Sequence, residues 1–389
     1  MRRRWTNLAL LLGVSACHQE VEDTREGAAF IHALFEPNQE VGSEESPLDF
    51  SSEETLVPIS VAVLDHNGDP LDFNGTLALD VRPGTLTGAP NITATNGTWS
   101  GQVGIKNGFG PTRIWVTDSA PLGGETTPSY ATGVTDPLHF QIPTLGEMNR
   151  TDDHETNQLQ KEFAEIRVSD RNARVTAVGT AGFWVTDMDD AAGEHNSLFV
   201  YTFSKPDNDV EVGKRLTLLT GNNQEYLATT QISFPTYEIS DEDPMSMPAP
   251  TVLDSTLCGA TDLLEGYESA LVQLENVQVP TGFGTSLSDE DYADYLAYGQ
   301  WPVTHGSGCT FYVNSAVQCP DFIPTDSLDL SQITGLLSEV WDKWIVNIRS
   351  ANDLPAGLCA GPEGPSFADD EPGPSLPLPR EAPLNRIKK

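Results

Sequence analysis

The chain has 389 residues, with 21 Lys and Arg against 57 Asp and Glu, a formal net charge of −36 and 38% hydrophobic residues. That length exceeds what one hydrophobic core organises, so two or three domains are expected. The charge excludes a general electrostatic attraction for polyanions, which a surface of this sign repels.

Residues 1–17 read MRRRWTNLALLLGVSAC. Arg2, Arg3 and Arg4 make a charged n-region, and Leu8 to Val14 an apolar run too short to span a bilayer. Val14-Ser15-Ala16-Cys17 then offers a small-residue site ending in cysteine. These four residues resemble the lipobox of bacterial lipoproteins. The resemblance implies removal of residues 1–16 as a signal peptide and lipid on the thiol and amine of Cys17, hence a membrane anchor. His18 follows where aspartate commonly signals inner-membrane retention, so outer-membrane residence in the cell envelope is the expectation. Without Arg2, Arg3 and Arg4 the Lys and Arg count falls from 21 to 18, and the mature chain carries about −39. Residues 17–27 are polar and read as a tether.

From 28 to 145 short β-branched runs alternate with turn signals: VPISVAVLD, His66-Asn67-Gly68-Asp69, TLALDVRPG, Asn96-Gly97, TWSGQVGI and TRIWVTD. Asn-Gly suits the positive φ angles of tight hairpins, and nothing long has helical period, so a β-sandwich is predicted. VAVLDHNGDPLDFNGTLALDV, GTWSGQVGIKNGFGPTRIWVTD and SYATGVTDPLHFQIPTL resemble bacterial immunoglobulin-like domains of surface proteins. Asp65 to Asp69 looks superficially like a calcium loop. Gly68 is misplaced for one and Pro70 breaks its continuation, so a hairpin turn is the reading.

From 146 to 250, GFWVTD, FVYTF, VGKRLTLLTG and EYLATTQI resemble the oligonucleotide/oligosaccharide-binding (OB) barrels that accompany bacterial extracellular nucleases and related lipoproteins. Gly213, Gly221, Glu225, Tyr226 and Gln231 keep that pattern, while Ala228 stands where a glycine is common. From 251 to 358, GYESALVQLENVQV and QITGLLSEVWDKWIVNIRSANDL resemble the opening and closing strands of a second such barrel, around an acidic, cysteine-bearing insert, Gly282 to Asp329. Within the insert SLSDEDYADYLAYG predicts a short helix capped by Ser288. Residues 359–389 are proline-rich and predicted to be disordered or extended. The expected fold is all-β: an immunoglobulin-like sandwich followed by two OB-like barrels.

Four cysteines remain besides Cys17, and an even number in an exported chain implies two disulfides among Cys258, Cys309, Cys319 and Cys359. A local Cys309–Cys319 staple with Cys258–Cys359 is the preferred pairing. No CxxC occurs and His305 is the only nearby imidazole, which argues against zinc.

GxSxG, HExxH, GxxxxGK[ST] and GxGxxG are absent, and no histidine sits with a carboxylate at a suggestive spacing, so no enzyme is inferred. The nuclease motifs that accompany OB modules elsewhere are also missing. His139 reads as a sheet histidine, and His154 and His195 as exposed loop residues. In SLFVYTF strict alternation puts Phe199, Tyr201 and Phe203 on one face and Leu198, Val200 and Thr202 on the other. One face must fill the barrel. An outward aromatic face would either stack on bases or sugar rings or pack on a neighbouring domain. Arg171, Arg174, Lys205, Lys214 and Arg215 give the first barrel a local positive component. Asp187, Asp189 and Asp190 make a carboxylate cluster that fits calcium or a solvated turn, and no other cofactor is implied.

No Lys or Arg occurs from Leu216 to Asp342, where 19 acids do, so nucleic-acid binding there is not expected. The expected function is non-enzymatic: a lipid-anchored envelope protein with a binding or structural role toward an envelope protein or glycan. The alternative is a noncatalytic nucleic-acid- or glycan-binding module at the cell surface.

Overall fold

Alternating apolar residues dominate the computed structural model, which describes residues 30–35, 42–65, 67–118, 132–153, 156–157, 159, 162–247, 249–285, 290–306, 308–340 and 342–359. Cys17 with the expected signal and tether, His66, His154, Ser288 and residues 360–389 lie outside them. No described helix is long and apolar enough to cross a membrane.

The first unit contains β1 (Phe30–Phe35), β2 (Thr55–Leu64), β3 (Gly75–Arg82), β4 (Thr85–Thr87), β5 (Asn91–Ala94), β6 (Thr98–Lys106), β7 (Gly110–Asp118), β8 (Gly133–Val134) and β9 (Leu138–Phe140). They form two sheets, β1-β2-β6-β4 and β5-β3-β7-β8, with β9 also on β7. Every second residue of β2, Val57, Ile59, Val61 and Val63, is buried against Leu77, Leu79 and Val81 of β3 and Ile114 and Val116 of β7. This period of two makes the expected sandwich. Asn96 and Gly97 both take positive φ, 48° and 75°, in the hairpin between β5 and β6. The Asp65 segment is a turn: Gly68 N–H donates to the Asp65 carbonyl at 3.0 Å, and the Asp65 side chain accepts from the N–H groups of Asn67 and Asp69. His139 sits half-buried in β9, as expected of a sheet histidine.

A short helix, α1 (Leu145–Asn149), starts at a capping box in which Thr144 and Glu147 satisfy each other's backbone N–H. Its Leu145 and Met148 share one core with Phe109 of the sandwich and the apolar residues of the next unit. After β10 (Thr151–Asp153) and β11 (Thr156–Asn157) come β12 (Phe163–Glu165), β13 (Ala173–Val178), β14 (Gly182–Asp187), β15 (Ser197–Tyr201), β16 (Leu216–Glu225) and β17 (Thr230–Ile239). The sheet order is β12-β16-β17-β15-β14-β13, and an Arg174–Arg215 bridge brings β13 back to the start of β16. The last unit has β18 (Thr251–Val252), α2 (Thr261–Leu264), β19 (Leu271–Gln278), α3 (Glu290–Tyr298), β20 (Gln300–His305), β21 (Cys309–Asn314), β22 (Asp329–Val340) and β23 (Lys343–Asn347). Here β19-β20-β21-β23-β22 closes on itself through β19–β22. In both units the third and fifth barrel strands pair in parallel, β15 with β17 and β21 with β23, and the other barrel neighbours are antiparallel. The fold is therefore an all-β sandwich followed by two OB-like barrels.

The disulfides correct the expected pairing. Cys258 bonds Cys309 and Cys319 bonds Cys359, with Cα separations of 5.5 and 5.4 Å. Cys309 opens β21, and that extended strand carries the chain roughly 15–20 Å before Cys319 is reached, so a local staple has no geometry. Each bond instead ties barrel sequence to a flanking segment. Peptide mapping of the unreduced protein is expected to find these two cross-links; a Cys309–Cys319 peptide would contradict the topology.

Candidate functional site

Alternation in β15 decides the aromatic question. Leu198 and Val200 are fully buried in the first barrel, which turns Phe199 and Tyr201 outward beside Trp184 of β14. Trp184 and Phe199 are directly paired across the strands, ring centroids 4.6 Å apart. The contacts continue from Phe199 to Tyr201 at 6.2 Å, to Phe203 at 4.4 Å and to Phe234 at 4.8 Å. Phe203 and Phe234 are 51% and 69% exposed, so this aromatic ribbon ends in water. Gly182 is required beneath it: a Cβ there would stand 2.7 Å from the Phe199 ring.

The inner end of the ribbon faces the second barrel across a cleft of about 540 Å³, within the range of small-molecule sites. Trp184, Phe199 and Tyr226 contribute rings from the first barrel, with Thr229 and Gln231 beside them. The opposite wall presents Tyr295, Leu296 and Tyr298 of α3 and Phe322 together with Gln300, Asn314 at the end of β21, Ser315, Ser338 of β22 and Asn347 of β23. Among the described residues no Asp, Glu, Lys, Arg or His lines it, in a chain of which 20% is charged. Several polar groups are preset: Asn347 Nδ2 donates to Ser338 Oγ at 2.8 Å, and the buried Trp301 indole donates to Ser315 Oγ at 3.0 Å.

Tyr226 and Thr229 flank the two-residue turn joining β16 to β17, whose central residues Leu227 and Ala228 both have positive φ, 54° and 60°. This hairpin geometry favours Asn-Gly, and neither residue here is glycine. The turn reaches the other barrel, where Thr229 Oγ1 donates to the Glu339 carbonyl at 3.0 Å. Beside it the Thr230 N–H donates to Glu268 Oε2 at 3.0 Å, and the Thr230 hydroxyl to Glu225 Oε2 at 2.8 Å.

A seam of carboxyls lies behind the cleft. Glu339 sits between the cleft residues Ser338 and Val340 and points the other way, into the contact between barrels, with Glu265 and Glu268. All three are buried, at 1%, 4% and 1% exposure respectively. Burial first, then a hydrogen bond and repulsion from Glu339, push the Glu265 carboxyl up to about 9. Burial, with repulsion from Glu225 and Glu265, holds Glu268 well above the usual carboxylate range.

The predicted calcium cluster has a different partner. Arg171 pairs with both Asp187 and Asp190, and Asp189 accepts from the Asn172 N–H at 2.8 Å. Asp187 is fully buried; burial raises its pKa and Arg171 opposes that rise. The guanidinium occupies the place where a cation would neutralise these acids, and no described group of three or more His, Cys, Asp or Glu has a metal-holding arrangement. Other basic residues of this barrel are also engaged: Arg174 with the Gly213 carbonyl and Asn172, Lys214 and Arg215 with Glu242. Arg171→Ala is expected to cost about 3–5 kcal/mol in urea unfolding, because it strands a buried carboxylate; a loss under about 1 kcal/mol would refute the pairing as drawn.

His195 departs from the expected exposed loop. It is half-buried with φ 58°, its ring is bonded to the Asn149 backbone, and its N–H donates to the Gly266 carbonyl at 2.9 Å. The reason is close docking: a Cβ on neighbouring Gly193 would stand 2.6 Å from the Tyr267 ring.

The sequence brings Phe199, Tyr201 and Phe203 to one face as expected, and the structure adds Trp184, Phe234 and the whole opposite wall. Trp184 was findable from the alternation in GFWVTD; the opposite wall was not, since it depends on how two barrels meet. No protein-family model matches the chain, and no curated protein matches it either. Fold and cleft thus define an all-β, multi-barrel protein with a neutral, aromatic-walled site between its barrels.

Proposed function

We propose that the chain is a non-enzymatic, lipid-anchored protein of the bacterial envelope that binds an uncharged glycan in the cleft between its barrels. The observation that carries this reading is the cleft's inventory: aromatic rings on both walls, amides and hydroxyls among them, and no charged side chain among the described lining residues. Sugar rings offer apolar faces for stacking and hydroxyls that both donate and accept, which Asn and Gln match. Among the described residues the cleft is lined by the phenols of Tyr226, Tyr295 and Tyr298 and by no carboxyl, imidazole or amine, which supports a binding role. Nucleic acid fits less well, because phosphates need Lys or Arg and most of the second wall comes from residues 295–340, which have neither.

Binding is expected to appear on a glycan array probed with the full exported protein. Trp184→Ala should weaken the strongest neutral hit about tenfold or more, the loss of one stacking platform at about 1–3 kcal/mol. Retained affinity in that variant would move the site elsewhere, and micromolar binding of single-stranded DNA in EDTA would favour the nucleic-acid alternative.

Anchoring rests on the lipobox resemblance at Cys17. Cys17→Ser should release the protein from membranes or leave an uncleaved precursor; normal membrane fractionation of a processed variant would defeat the anchor.

A further inference from the structure

The aromatic ribbon continues past the cleft. Phe203, just beyond the end of β15, and Phe234 of β17 bring their rings to 4.8 Å from each other, in water. Both hold left-handed backbone, φ 64° and 52°, a conformation that bulky side chains rarely adopt and that costs free energy. Each is held there by its surroundings. The Thr202 N–H donates to the Ala181 carbonyl at 2.9 Å and the Thr202 hydroxyl to the Ser204 carbonyl at 2.6 Å, which fixes the backbone on either side of Phe203. On β17 the register skips from Thr220–Thr236 to Asn222–Ser233, so Phe234 and Pro235 together oppose Gly221 in a bulge, a device that re-aims a side chain. Burial does not offset this strain, because rings 51% and 69% exposed recover little from leaving water. Tyr201 joins the pair to Phe199, which lines the cleft. A second copy of the chain is a poor occupant, since two molecules at −36 repel each other, whereas a neutral ligand meets no such barrier.

We propose that Tyr201, Phe203 and Phe234 are outer subsites of the cleft, so that the ligand is a linear neutral polysaccharide rather than a short glycan: inner sugars lie between the barrels and outer sugars stack along the ribbon. The inference rests on the glycan reading of the cleft and adds chain length as the property recognised. A sugar laid on an exposed ring buries the apolar face of both, so an outer contact adds affinity without any further polar group. Rings joined in a row favour sugars that are also joined, because every contact after the first is then intramolecular. The strained backbone has a place in this scheme. Phe203 is wedged between Tyr201 at 4.4 Å and Phe234 at 4.8 Å, so the rings stand ready in the free protein and little ordering is left for the ligand to impose.

The test titrates the full protein with neutral oligosaccharide ladders, the cello-, malto-, xylo- and manno-series from two to eight sugar units, by calorimetry. In a series that binds, affinity should rise about tenfold or more from the shortest bound member to the longest. Phe203→Asn with Phe234→Asn, chosen because Asn tolerates left-handed backbone, should cut that advantage to under about twofold. Leu56→Thr, at an exposed position of β2 in the sandwich, should leave the advantage intact. Affinity independent of length, or an advantage that survives the double variant, would overturn the outer subsites while the glycan reading stands; no binding by any series would overturn both. Two further readouts need no ligand. The double variant should melt within about 3 °C of the wild type or above it, and a fall of more than about 5 °C would assign the rings to the fold and overturn the proposal. The wild type should sediment as a monomer; a dimer that the double variant dissolves would give the ribbon to a second copy and equally overturn it.

Discussion

Two strongly acidic barrels are pressed together through their carboxyl groups, and the rest of the functional architecture hangs on that contact. Most domain contacts in proteins join apolar surface or pair opposite charges. Here Glu265, Glu268 and Glu339 are buried at the junction, where the Thr230 N–H donates to Glu268 and its hydroxyl to Glu225. Such a junction is poorly suited to contributing raw stability, because desolvating carboxyls costs free energy that their mutual contacts return only in part. What it supplies is registry. The cross-seam bonds at Thr229, Thr230 and His195 can all form together in one orientation of the barrels, and that orientation sets Trp184 and Phe199 opposite Asn314 and Asn347.

The cleft owes its neutrality to the same arrangement. On β22 the alternation of side chains sends Glu339 to the seam and leaves Ser338 and Val340 for the cleft; on β16 Glu225 precedes Tyr226 at the turn. Acidic residues are thus sorted away from the cleft face by strand geometry, although the surrounding sequence is rich in them. The first barrel meets its own excess of charge differently, through Arg171 across Asp187 and Asp190, and so keeps its aromatic face free of ionic groups.

Much of this architecture was readable from residue order. Strand alternation in VPISVAVLD and SLFVY, the Asn96-Gly97 turn and the acidic helix Glu290–Tyr298 all come from local physics that a single sequence displays. Long-range partners are another matter. The disulfide pairing depends on β21 separating Cys309 from Cys319, and His195 is drawn in by Gly266, far along the chain. The carboxylate cluster at Asp187 is visible because it is local, while its partner Arg171 lies on the preceding strand connection. The motif residues Glu225, Tyr226 and Gln231 were visible as a pattern, but their division between seam and cleft required the second barrel.

The long absence of basic residues has a consequence for proteolysis. A protease that cleaves after Lys or Arg has no site from 216 through 342, a span that supplies both sides of the seam and most of the second barrel. The bordering cations are themselves shielded: Arg215 leans on Glu242, and Lys343 is held at 2.8 Å by Asp294 while lying over the Tyr312 ring. Trypsin-like enzymes therefore meet guarded borders and no interior target. The same composition leaves residues 216–342 without a lysine for amine-directed labels and cross-linkers to attack.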